Sequence, residues 1–406
     1  MLVTAEEAVA HLVVLKRPHD LCTAALGDDL SALVLARHPP PCHSPPMPPR
    51  RLDIAQVHHG RGAVSNPAGR FDTVRSEAED DGWGSAAQPQ AAVATVVRDE
   101  HAKSIITYND SPDLGFDRSI NPYRGCEHGC IYCYARPSHG YLGLSSGLDF
   151  ETQLFAKVNA VELLRQELAK PGYLPALVLI GANTDAYQPI ERDRQLTRGV
   201  LEVLVQARHP FSVITKSALV ERDVALLAEA ARLQLCHAYI SVTTLDVDIA
   251  RKMEPRAAPP QRRLQAMAAL VQAGIPTGVM VAPIIPGLTD HETESILQAA
   301  AGAGAQCASY VLLRMPHEIK DLYAQWLEEH FAGKAQRART LLRDMRDGRD
   351  NDPQFGSRMR GTGVYAELLR KRFALATRRF GLDQPWPPVD ATGFRRPALG
   401  RQLPLL

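Results

Sequence analysis

Short apolar runs and amphipathic stretches alternate along the middle of this chain with a regular beat. The apolar pattern predicts strands over residues 119–123, 176–180, 211–215, 237–242, 278–282 and 308–313. The run 176–180 is apolar throughout and stops at Gly181, as a strand buried on both faces does. Between the strands, apolar residues fall at helical spacing. They do so over 158–169, at Leu196, Val200, Val203, Leu204 and Ala207, at Val224, Leu227, Ala230, Ala231 and Leu233, and over 264–273 and 291–301. Strands that alternate with helices in this way imply parallel neighbours with helical crossovers. The expected fold is α/β, a partial (β/α)6 barrel of the TIM type, short of eightfold closure.

The flanks read differently. Ile319, Leu322, Tyr323, Trp326, Leu327, His330 and Phe331 form one helical apolar stripe, in which Trp326 is expected to pack between helices. Tyr365, Leu368, Leu369, Arg372, Phe373 and Ala376 form another. Residues 5–15 suit a short helix, but the Pro-rich run 38–50 cannot continue one. The expected organisation is a disordered extension over 1–55, an irregular lead-in over 56–103, and an ordered partial barrel over 104–314. A helical section over 315–380 and a Pro-rich tail over 381–406 complete it. Cys22 and Cys42 fall in the extension and are given no role.

Composition narrows the class. At 45% hydrophobic and 22% charged residues the chain is an ordinary globular protein. No apolar run approaches the ~20 residues of a membrane span, and the most apolar stretch, 278–288, is cut by Pro283 and Pro286. Glu6, Glu7 and His11 interrupt any signal-peptide pattern. Seven Cys, three of them in one loop, argue against a disulfide framework and for a reducing compartment, the cytoplasm. The net charge of +1 leaves no global footprint for a nucleic acid. Residues 334–380, however, carry thirteen Lys/Arg against five Asp/Glu, a local +8 that suits a solvated helical face or a polyanion-binding surface.

The chemistry concentrates in Cys126-Glu-His-Gly-Cys130-Ile-Tyr-Cys133. This C-x3-C-x2-C loop offers three thiolates to one small inorganic centre and leaves one of its positions without a protein ligand. On a 4Fe–4S cubane that means one iron with an open coordination site. Structural zinc is the alternative, but a closed tetrahedron would need His128, Cys236 or Cys307 as fourth ligand. Ligands of α/β barrels sit at the carboxyl ends of strands. Asn183, Thr184 and Asp185 follow the second predicted strand, Thr215, Lys216 and Ser217 the third, and Ser241 to Thr244, including Thr243, the fourth. Each of them also suits a turn or a helix cap; as a set they mark a polar ligand across the barrel mouth. Arg256, Arg262 and Arg263 suit a phosphate grip or plain surface charge.

The Cys loop with an aromatic residue before its third Cys resembles the signature of the radical S-adenosylmethionine (radical SAM) superfamily. Residues 121–137, Gly147-Leu-Asp-Phe-Glu151, Asn183-Thr-Asp-Ala-Tyr-Gln-Pro189 and Glu254-Pro-Arg256 resemble the branch related to spore photoproduct lyase, the DNA repair photolyase-like group. The resemblance runs from about residue 60 to about residue 346. It implies the superfamily's partial barrel, a 4Fe–4S cluster on Cys126, Cys130 and Cys133, and S-adenosylmethionine as cofactor. It places Tyr132 against the adenine side of that cofactor and Thr184, Lys216 and Ser241 among its contacts, Lys216 at the carboxylate. It further implies reductive cleavage to a 5′-deoxyadenosyl radical, an external reductant of flavodoxin or ferredoxin type, and lyase-like chemistry on DNA or another nucleic acid. Spore photoproduct lyases carry a hydrogen-donating cysteine where this chain has Ala182, which leaves Tyr134 as the candidate radical relay. The competing reading is a cluster- or zinc-stabilised nucleic-acid-binding protein without turnover.

Overall fold

The computed structural model describes residues 57–71 and 93–398. The expectations for 1–55, including Cys22 and Cys42, and for the end of the tail lie outside these residues. In chain order the first elements are β1 (Val96–Glu100), β2 (Ile106–Tyr108), β3 (Arg118–Ile120), β4 (Tyr123–Arg124), α1 (Leu148–Thr152), β5 (Gln153–Lys157) and α2 (Ala160–Ala169). Next come β6 (Val178–Ile180), α3 (Glu191–Arg194), α4 (Leu196–Gln206), β7 (Phe211–Thr215), α5 (Val224–Arg232) and β8 (Cys236–Ser241). The chain continues through α6 (Val247–Met253), α7 (Pro260–Gln272), β9 (Thr277–Ile284), α8 (Thr293–Gly302), β10 (Cys307–Leu312), α9 (Ile319–Asp344) and α10 (Gly363–Phe380).

One sheet has the order β10-β9-β8-β7-β6-β3-β2. Its strands β3 and β6 to β10 run parallel and correspond to the predicted strands. Antiparallel β2 is added at one edge. The sheet stays open, with β2 and β10 as its edges. Its central strands are buried almost continuously, as helices on their faces require. The apolar faces of α2, α4, α5, α7, α8 and α10 complete that core.

Three local differences from the sequence reading have physical reasons. The run 119–123 is not one strand: Pro122 has no N–H to continue a ladder, so β3 joins the main sheet while β4 pairs with β5. β4, β5 and β1 form a second, small sheet in the order β1-β5-β4 that the pattern did not reveal. Only Leu154 and Ala156 of β5 alternate inward, too short a signal beside the helix that follows. Packed structure also begins before Ser104. Ala63, Val64 and Ser65 are buried, and a side chain at Gly62 would strike the carbonyl of Gly129 in the Cys loop.

The C-terminal helices cap this frame. The apolar stripe read from the sequence ends where α9 bends, at Phe331 (φ −146°, ψ 42°). Ile319, Leu322, Tyr323, Trp326 and Leu327 bury against Ile131, Tyr132, Met253 and Leu313, so α9 roofs the Cys loop. Trp326 packs as expected: its indole N–H donates to the Lys252 carbonyl at 3.2 Å and its ring stacks on Tyr323 at 5.6 Å. The loop after α9 touches both sheet edges. Met359 accepts from the Leu312 N–H at 2.9 Å, and Arg358 and the Gly356 N–H bind Asp113, in the loop after β2, at 2.5 and 2.6 Å.

Part of the positive charge in the basic section 334–380 is paired. Arg343 pairs with Asp350, Arg358 with Asp113, Arg370 and Lys371 with Glu367, and Arg372 with Glu294. Truncating Trp326 to Ala should cost about 3–5 kcal/mol of stability by opening a cavity under α9. Urea unfolding of the full chain checks this, and an unchanged midpoint would show that the ring is not a packing residue.

Candidate active site at the cysteine loop

β4 delivers the chain into the Cys loop through Gly125 (φ +73°), and Gly129 (φ +67°) turns it within the loop. Side chains would not fit at either place. A Cβ at Gly125 would lie 2.9 Å from the Phe150 carbonyl, and one at Gly129 would lie 2.5 Å from a Glu151 carboxylate oxygen. The Cys126 N–H donates to Phe150 O at 3.0 Å and the Ile131 N–H to Met253 O at 3.0 Å, tying the loop to the segments on both sides.

Arg136 organises the loop from beneath. It is fully buried, and its guanidinium donates to the carbonyls of Cys130 (2.8 Å), Gly129 (2.9 Å), Ser146 (3.1 Å) and Gly147 (2.8 Å). Its charge meets Glu151, also fully buried, at 2.6 Å. Glu151 in turn accepts the N–H groups of Gly62 (2.9 Å) and Ala63 (2.7 Å). Buried Gln188 clamps the other flank, accepting from the Glu127 N–H at 2.8 Å and donating to Gly125 O at 3.1 Å.

The expected site residues do gather at the strand ends around this loop, but in different roles. Asp185 is committed to the protein. It accepts from Thr215 Oγ1 (2.6 Å) and from the N–H groups of Lys216 (2.8 Å) and Tyr187 (2.9 Å), and faces His128 at 3.3 Å. Burial alone raises its carboxyl pKa, yet neighbouring His128 and the hydrogen bonds it accepts outweigh burial and hold it well below the ordinary carboxylate range. Ser217 is a helix cap, accepting from the Leu219 N–H at 3.2 Å. Thr184 is buried, its hydroxyl donating to Tyr123 O at 3.3 Å, while Asn183 is exposed.

Lys216 is half-buried, with its ammonium 5.8 Å from the Tyr132 ring centroid. Among the described residues it makes no ion pair. Ser241 ends β8 and is buried. Tyr132 and Thr243 both donate to Glu254, and Glu254 pairs with Arg263; all four are buried. This corrects the reading of an Arg grip for phosphate. Arg263 is spent on Glu254 and the carbonyls of Ala258 and Ser241, Arg262 on Glu221, and Arg256 on Glu127. Tyr134 is half exposed, and its hydroxyl donates to the Ala182 carbonyl.

The three loop thiols fit a bound inorganic centre. Cys126 and Cys130 are buried, Cys133 partly so, and burial pushes all three thiols up, Cys130 to about 12. A cationic centre that takes them as thiolates removes that penalty. Among the described residues no three His, Cys, Asp or Glu side chains gather closely enough to ligate a single ion; the donor set, not a preformed cage, points to the centre. Among the described residues the fourth ligand of a closed zinc site is not at hand. His128 is turned to Asp185, and Cys236 and Cys307 begin β8 and β10, at the far end of the strands.

Arg136, Glu151, Gln188 and Glu254 escaped functional assignment from the sequence although all lie in the quoted motifs. Their roles depend on partners across the fold, such as Gly62 for Glu151. Arg314, just past the last strand, escaped too. The rule of strand ends, applied to β10 as it was to the earlier strands, finds it.

The family described as the Radical SAM superfamily matches residues 120–300. An uncharacterized protein of Mycobacterium tuberculosis is 34% identical over 283 residues, 68% of this chain and 78% of its own length. A Pseudomonas phage M6 protein named Radical SAM Nalpha-GlyT isomerase is 28% identical over 173 residues, 42% of this chain and 34% of its own. Among solved structures, spore photoproduct lyase complexed with dinucleoside spore photoproduct is similar at a TM-score of 0.49. It is 15% identical, covering 70% of this chain and 79% of that one.

Replacing Arg136 by Met should cost about 3–5 kcal/mol, because Glu151 is left charged and buried without its partner. The double variant Arg136→Met/Glu151→Leu should lose less than the sum of the single changes. Denaturant unfolding of the four proteins measures the coupling, and strict additivity would show that the two side chains do not act as a pair.

Proposed function

This chain belongs to the radical SAM superfamily of enzymes, and we propose that Cys126, Cys130 and Cys133 hold a 4Fe–4S cluster beside bound S-adenosylmethionine. The observation that carries this is the loop of three buried or partly buried thiols with, among the described residues, no fourth protein ligand beside it. When bound, the two groups supply a one-electron reductive cleavage whose product, a 5′-deoxyadenosyl radical, abstracts hydrogen. Superfamily membership makes the chain an enzyme, so the reading as a binding protein without turnover is set aside.

The chain's own residues bind, orient and exclude water. Lys216, a partly desolvated ammonium beside Tyr132, is the cation for the cofactor's carboxylate. Buried Glu254 fixes the Tyr132 ring through its hydroxyl. Thr184, Ser241 and Thr243, with exposed Asn183, line the strand ends around them, and Asp185 holds the segments that carry Lys216 and His128 in place. α9 seals the loop from above. Tyr134, whose phenol lies on the Ala182 carbonyl, is the candidate hydrogen relay. The electron comes from an external one-electron carrier of flavodoxin or ferredoxin type.

The substrate class we assign is nucleic acid, with the reaction lyase-like. Exposed Phe71 and Tyr141 lie 5.2 Å apart with Arg70, itself 3.7 Å from Glu318, over both rings, and the two exposed rings suit base stacking. Among the described residues, no helix is long and apolar enough to cross a membrane.

Anaerobic reconstitution tests the centre. Wild type, Cys236→Ala and Cys307→Ala should take up iron and its brown chromophore, while Cys126→Ala, Cys130→Ala and Cys133→Ala should lose both. The reduced wild type should release 5′-deoxyadenosine from S-adenosylmethionine. Stoichiometric zinc without iron uptake would end this reading. Because Ala182 offers no thiol hydrogen, the enzyme should not revert the spore thymine photoproduct over multiple turnovers, and clean reversion would overturn that specificity.

A further inference from the structure

We propose that Arg314 is the anchor for a phosphodiester of the substrate, an assignment that rests on the nucleic-acid reading above. Arg314 follows β10, one edge of the open sheet, and its guanidinium lies 5.8 Å from the Tyr134 ring centroid. The hydroxyl end of Tyr134 rests on Ala182, just past β6. β6 and β10 are separated in the sheet by β7, β8 and β9. Tyr134, next to Cys133, therefore touches residues that follow β6 and β10, with Ala182 at its hydroxyl and Arg314 near its ring.

The terminal nitrogens of this guanidinium are poorly supplied with acceptors. Nη1 has only a 3.9 Å contact with the Met359 sulfur. Nε is buried and, among the described residues, has no partner. Among the described residues no carboxylate lies within ion-pair distance of Arg314. Its neighbours at the same edge are better supplied, although Arg346 Nε, like that of Arg314, is buried with no partner among the described residues. Arg358 binds Asp113 and Ser111, each at 2.5 Å, and Arg346 donates to the carbonyls of Leu313 and Asp350. A partly desolvated guanidinium without acceptors is unfavourable unless an oxyanion supplies them, and its planar fork matches two phosphate oxygens. Burial, and then the charge of Arg358, lower the Arg314 pKa from its ordinary value and outweigh the more distant Asp113 and Asp352.

The test uses the reconstituted full-length protein with S-adenosylmethionine bound and a dye-labelled single-stranded oligothymidylate, followed by fluorescence anisotropy across a salt series. Arg314→Gln should weaken binding roughly 10–100-fold and flatten the plot of log affinity against log salt by about 0.7, one phosphate contact on a single strand. Arg314→Lys should recover part of the affinity. An oligothymidylate with neutral methylphosphonate linkages should bind wild type and Arg314→Gln alike. Iron content and S-adenosylmethionine binding of each variant confirm that the fold is kept. If the oligonucleotide binds and Arg314→Gln leaves affinity and slope unchanged, the anchor is refuted and the nucleic-acid reading stands. If wild type binds no oligonucleotide even at low salt, the nucleic-acid reading fails and the phosphodiester assignment with it.

Discussion

The buried ion pair between Arg136 and Glu151 is the constraint on which the rest of the structure depends. Both side chains are fully enclosed, and taking two charges out of water is costly unless every donor and acceptor finds a partner. Here the partners are backbone groups of the Cys loop, of the segment before α1 and of the lead-in at Gly62 and Ala63. Three segments distant in sequence are thereby held in one arrangement. The small sheet β1-β5-β4 and the absence of side chains at Gly62, Gly125 and Gly129 allow them to approach that closely.

A second buried pair, Glu254 with Arg263, does the same work on the other side of the loop. Burial favours neutral Glu254, but the charges of Arg263 and Lys216 prevail and keep its carboxyl below the usual range. The ionised carboxylate then accepts from Tyr132 and Thr243, so the aromatic residue before the third Cys is oriented from behind. The two pairs bracket the thiols, one through backbone carbonyls and the other through a phenol.

A division of labour among the charges follows. Those with complete partner sets, Arg136, Glu151, Glu254, Arg263 and Asp185, build the frame. Lys216 and Arg314, which have no carboxylate partner among the described residues, lie next to Tyr132 and Tyr134, on either side of Cys133. A rigid, satisfied frame that leaves a few cations uncompensated is preorganised for anionic groups, since little reorganisation accompanies binding.

The local signals in the sequence determined a good deal. Parallel strands buried on both faces are written as short apolar runs, so β6 to β10 could be read directly, and the stripe of α9 could be followed as far as its bend at Phe331. The Cys loop was legible likewise, because three thiols within eight residues share one local turn. What the sequence could not decide depends on partners far along the chain. Short β1, β4 and β5 carry too few residues for a period and exist because they pair with one another. Asp185 looked like a ligand and Arg263 like a phosphate grip because residue type reveals a charge but not its partner. Only the folded chain brings His128 to Asp185, Glu254 to Arg263 and Gly62 to Glu151, and leaves Arg314 without a carboxylate among the described residues, since whether a buried charge is satisfied is a property of three-dimensional neighbours.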